Sequence, residues 1–80
     1  MTRPELRGIT VGEFISALER EGFYLDRTRG NHLRYRNADG RQVTVAFHRS
    51  GATFGKAMLH SLLRATRWND EDLRRIGLLD

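Results

Sequence analysis

Eighty residues without a cysteine provide for one modest core and for no disulfide or thiolate metal site to supplement it, so a single domain over residues 1–80 is expected. No apolar run approaches the length of a membrane span, and the opening MTRPELRGIT lacks the apolar centre of a secretory signal; a cytoplasmic protein with no membrane partner is expected. The formal charge of +4 is uneven: residues 1–22 carry −1, 23–49 carry +4, 50–68 carry +3 and 69–80 carry −2, and 13 of the 14 basic residues are arginine. Arginine forks onto phosphate, which makes nucleic acid the leading partner class, with a merely solubilising charged surface as the alternative.

The first element is announced by TVGE, a capping box in which Thr10 and Glu13 satisfy the free amides of a helix start. Val11, Phe14, Ile15 and Leu18 follow at helical spacing and predict one buried face, with Gly22 as a left-handed terminator. The period then changes to two. Phe23 and Leu25 alternate with Tyr24 and Asp26, Leu33 and Tyr35 with His32, Arg34 and Arg36, and Val43, Val45 and Phe47 with Gln42, Thr44 and Ala46.

TRGN and NADG supply the residues that tight turns need, so the three strands are predicted to form an antiparallel meander. Its apolar face requires a helical cover, and its other face carries His32, Arg34, Arg36, Gln42 and Thr44. After the HRSGAT loop, a second helix is expected over about residues 54–66, burying Phe54, Met58, Leu59, Leu62 and Leu63 and exposing Lys56, His60, Arg64 and Arg67. NDED starts a short last helix at Asn69. The fold class is therefore α+β, in the order α-β-β-β-α plus a short C-terminal helix, with a three-stranded antiparallel sheet and helices on one face. Residues 1–8 and the last few are expected to fray.

His32, His48 and His60 have neither metal-ligand spacing nor carboxylates beside them, no phosphate-cradling glycine loop exists, and no cofactor is expected. A histidine with arginines on an open sheet face remains. Metal-free RNA cleavage needs a base for the 2′-hydroxyl, an acid for the departing 5′-oxygen and positive charge near phosphorus. Histidine suits both proton steps, because an ordinary imidazole titrates near neutrality. Each residue also has a plainer reading. His32 alone fits a solvent-facing turn residue, His48 a loop hydrogen bond, and His60 a surface position. Arg34 and Arg36 fit a solvated strand, and Arg27 and Arg29 fit hairpin flanks. By parity Tyr24 faces out, where it suits base stacking, and Tyr35 faces the core; Trp68 is expected as a lid on the core.

The run EREGFYLDRTRGNHLRYRNADGRQVTVAFH, with a later helix containing LHSLLRAT, resembles the HicA (YcfA-like) mRNA interferase toxins over roughly residues 11–79. The family's Gly-Ser-His corresponds to Gly30, Asn31 and His32, its basic second strand to LRYR, and its valine-rich third strand ending in Pro-X-His to VTVAFH with Ala46 in the proline place. The resemblance implies a double-stranded-RNA-binding-domain-like fold and a type II toxin that cleaves mRNA without metal. It implies His32 as the catalytic residue, with Gly30 and Asn31 supporting its loop. Arg29, Arg34, Arg36, His48 and Lys56 are the expected RNA contacts. The implied partners are an mRNA substrate and a HicB-type antitoxin that oligomerises with the toxin and covers His32. Asn31 for serine, Ala46 for proline and Ala57-Met58 for Gly-Thr at the second helix depart from the family pattern, and the last favours a longer helix. Two rival functions are a non-catalytic RNA- or DNA-binding module of the same fold and a basic protein-interaction subunit.

Overall fold

The computed structural model describes residues 9–78; the fraying expected of residues 1–8 and of the extreme C-terminus lies outside them. Three helices and three strands follow in the order α1 (Val11–Arg20), β1 (Tyr24–Arg29), β2 (His32–Arg36), β3 (Gln42–Ala46), α2 (Lys56–Thr66) and α3 (Asp70–Ile76). The architecture is α+β, with a three-stranded antiparallel sheet ordered β1-β2-β3.

The expected capping box is present at α1. Thr10 Oγ1 accepts from the Glu13 amide at 3.1 Å, and Glu13 Oε1 accepts from the Thr10 amide at 3.1 Å. The next two amides are satisfied from the loop after β3: Val11 N–H donates to the Ala52 carbonyl (2.8 Å) and Gly12 N–H to that of Ser50 (2.9 Å). A helix start thus doubles as the anchor for that loop. Gly22 takes the left-handed conformation just past the end of α1. At the other terminus Asn69 caps α3 through a second box with Asp72.

Val11, Phe14, Ala17 and Leu18 of α1 meet Tyr35, Val43 and Val45 of the sheet, Leu59 and Leu62 of α2, and Leu73 and Ile76 of α3 in one core. Phe14 is its centre, with no exposure and edge-to-face contacts to Phe54 (5.6 Å) and Trp68 (6.0 Å). Each such fully buried side chain contributes about 1.5–3 kcal/mol over an exposed one. Trp68 also packs on Phe23 at 6.1 Å, so it closes the core as the sequence indicated.

Three expectations for the core need correction. α2 begins at Lys56, so Phe54 reaches the core from the preceding loop rather than from the helix. Met58 is 53 % exposed: it lies about 100° around the helix from Leu59, outside the stripe that Leu59, Leu62 and the buried Thr66 turn inward. Leu25 is 50 % exposed although it pairs with the buried Tyr35, because β1 is the edge of the sheet away from α2, which packs on β3. Among the described residues no helix is long and apolar enough to cross a membrane.

Candidate functional site

The outer face of the sheet is set by a β-bulge. Tyr24 pairs with Arg36 and Leu25 with Tyr35, but Arg27 then pairs with Arg34 and Arg29 with His32, so Asp26 is the extra residue. Strict alternation from Phe23 and Leu25 would turn Arg27 and Arg29 toward the core side. The bulge moves the register by one and puts both on the outer face. Directly paired residues share a face, so β3 extends the same rungs: Gln42 beside Arg36, Thr44 beside Arg34, and Ala46 beside His32. Three rungs result, Tyr24–Arg36–Gln42, Arg27–Arg34–Thr44 and Arg29–His32–Ala46. Alternation alone does not reveal Arg27 as a member; Asp26, a poor strand former inside a strand, is the signal for the bulge.

His32 opens β2 directly after a two-residue turn and is exposed. Gly30 has φ +59°, a conformation that an L side chain adopts only with strain, and Asn31 does not share it; this is the order of a type II′ hairpin turn. The turn is also tied sideways to the end of β3. Phe47 N–H donates to the Asn31 carbonyl at 2.7 Å, and the Asn31 side-chain amide donates to the His48 ring, 3.2 Å from Nδ1. These contacts hold the strand start that carries His32 and bring Asn31 and His48 together. Asn31, which stands where the family pattern has serine, has the reach to make this link.

The arginines are not equivalent. Arg34 donates through Nε (3.0 Å) and Nη2 (2.5 Å) to a single Asp26 carboxylate oxygen, an ion pair not anticipated from sequence because it depends on the bulge. The Arg34 hydrogen bond, followed by its charge and those of Arg36 and Arg27, holds the Asp26 carboxyl below the usual carboxylate range. Arg27, Arg29 and Arg36 form no ion pair among the described residues and leave the outer face basic. Lys56 is exposed at the first position of α2, and among the described residues no hydrogen bond or ion pair joins it to the hairpin. The structure therefore gathers Arg29, Gly30, Asn31, His32 and His48 at one end of the sheet and Arg34 and Arg36 along β2; Lys56 belongs to α2. Among the described residues, no cluster of three or more histidine, aspartate or glutamate side chains is placed to hold a metal ion.

An exposed imidazole beside unpaired guanidinium groups can exchange protons with a bound hydroxyl while positive charge balances a phosphate. The family model described as the HicA toxin of bacterial toxin–antitoxin systems matches residues 11–68, which takes in α1, all three strands, the His32 turn and α2 and stops short of α3. No curated protein matches the chain.

Proposed function

We propose that this chain, which belongs to the HicA toxin family, is an endoribonuclease that cleaves mRNA through His32 without a metal ion. The observation that carries this reading is the placement of His32. It is exposed at the start of β2, paired with Arg29, fixed by the Gly30 turn, and continuous with a basic sheet face. His32 exchanges the proton of the 2′-hydroxyl or of the 5′-oxygen. The 2′-oxygen bonds to phosphorus as the bond to the 5′-oxygen breaks, and the proton finishes on that oxygen, leaving a 2′,3′-cyclic phosphate and a 5′-hydroxyl. Arg29 stabilises the charge that grows on phosphorus, and Arg27 and Arg36 hold flanking phosphates; Arg34 joins them when it leaves Asp26.

A toxin of a toxin–antitoxin system is held in check by a cognate antitoxin. For this chain we assign a HicB-type partner that covers the basic face and excludes RNA in the cytoplasm, forming a hetero-oligomer. The test is His32→Ala. The expected result is an unchanged circular dichroism spectrum and melting temperature with RNA cleavage lost, since the side chain is exposed and adds little to the core. Full cleavage by the folded variant overturns the reading.

A further inference from the structure

The sheet's far rung has no role in the chemistry at His32, yet it is the part of the outer face that carries an aromatic ring. Tyr24 is 54 % exposed, its side chain makes no ring contact or hydrogen bond among the described residues, and it is paired with Arg36, which in turn neighbours Gln42. Among the described residues the Arg36 guanidinium forms no ion pair or hydrogen bond, and its Nε–H is shielded from solvent without an acceptor. A large exposed ring beside an uncommitted cation matches how single-stranded RNA is held: the base stacks on the ring and the adjacent phosphate meets the charge.

We propose that Tyr24 and Arg36 form a nucleobase subsite two rungs from His32, resting on the reading of the outer face as an RNA surface. Arg36 lies four residue steps along extended β2 from His32, about 13 Å. An extended single strand covers that span in about two nucleotides, with its intervening phosphate over the Arg27–Arg34 rung. The base on Tyr24 therefore lies about two nucleotides from the bond that is cut, and it fixes the strand's position along the sheet.

The test uses RNA that lacks the attacking hydroxyl, so its outcome does not depend on whether His32 cuts. Binding of the full chain is measured for a 2′-O-methyladenosine oligomer of about ten nucleotides and for an abasic tetrahydrofuran oligomer of the same length. Tyr24→Ala is expected to weaken binding of the first about tenfold, about 1.4 kcal/mol, and to leave binding of the second unchanged. Tyr24→Phe retains the affinity, because stacking uses the ring and not the hydroxyl. Arg36→Gln weakens both oligomers and lowers the slope of log affinity against log salt by about 0.7, which Tyr24→Ala does not do.

Equal wild-type affinity for the two oligomers, an unchanged affinity of folded Tyr24→Ala for the adenosine oligomer, or no binding of either oligomer overturns the subsite. If Tyr24→Ala behaves as expected while unmodified RNA is never cut, the subsite stands and the catalytic reading falls. If unmodified RNA is cut and Tyr24→Ala is silent, the reverse holds.

Discussion

Gly30 and Gly40 close the two hairpins of one sheet, with φ of +59° and +84°, and the polar groups around them are used in opposite ways. In the second turn Asn37 Oδ1 accepts from the amides of Asp39 (3.1 Å) and Arg41 (2.9 Å), and Arg41 Nη1 donates to the Thr66 carbonyl at the end of α2 (3.0 Å). Its side chains serve the fold. In the first turn only Asn31 is tied back, to the end of β3, while Arg29 and His32 are left exposed on the open face. The two connections, of two residues (30–31) and five (37–41), thus differ in use: the side chains of the longer one close the structure, and the shorter one leaves Arg29 and His32 exposed.

The sharpest way to break this comparison is to strain each turn in the same manner. A Cβ on Gly30 or Gly40 meets no atom within 4 Å, so alanine introduces backbone strain rather than a clash. Gly30→Ala and Gly40→Ala are each expected to lose about 1 kcal/mol in denaturant unfolding. Only Gly30→Ala is expected to slow RNA cleavage, by about tenfold or more, because the strain displaces His32. Equal loss of cleavage in both variants would show that the turns are not functionally distinct.

A smaller effect is expected at the bulge. Asp26→Asn removes the charge that holds Arg34 and frees it for phosphate, so RNA affinity is expected to rise and the salt slope to steepen by about 0.7. The unaltered affinity and slope of a folded Asp26→Asn protein would place Arg34 outside the binding face. The Asp26 carboxyl is held below its ordinary value in the folded protein, so the pair is intact at neutral pH and is lost only as acid protonates it. RNA affinity near neutrality is therefore not expected to report its titration.

The smallest effect belongs to the structural end of the molecule. Arg75 bridges Glu21 (2.8 Å) and Asp72 (3.0 Å), joining α3 to the end of α1. The Arg75 hydrogen bond lowers Glu21, and the Asn69 backbone amide followed by Arg75 lowers Asp72. Folded values below the unfolded ones give stability that is present above the ordinary carboxylate range and is lost as pH falls through the folded values. Arg75→Met is expected to flatten this acid limb of the melting temperature slightly, with cleavage at neutral pH unchanged, since exposed ion pairs contribute little. An acid limb identical to wild type would contradict the assignment.

Much of this arrangement was legible in sequence because it depends on local chemistry. Thr10 with Glu13, Asn69 with the acids after it, and the glycines of the two turns act through near neighbours, and the alternation around Tyr35, Val43 and Val45 marks a covered strand face. The errors arose where a long-range fact overrides a local pattern. Leu25 obeys the alternation but lies on an edge strand that the helices do not cover. Met58 fits an apolar spacing yet sits beyond the contact stripe of α2. The His32 turn could be read from Gly30 and Asn31, whereas the Asp26–Arg34 pair and the outward placement of Arg27 follow from one inserted residue in the ladder, which periodicity averages away.

The central claim is that His32 cuts RNA by attack of the neighbouring 2′-hydroxyl. Mass spectrometry of the RNA fragments made in excess chelator tests it most directly. Fragments with 2′,3′-cyclic phosphate and 5′-hydroxyl ends are expected from the unaltered chain and none from His32→Ala; 5′-phosphate ends, or cutting that returns only with a divalent ion, would rule this chemistry out.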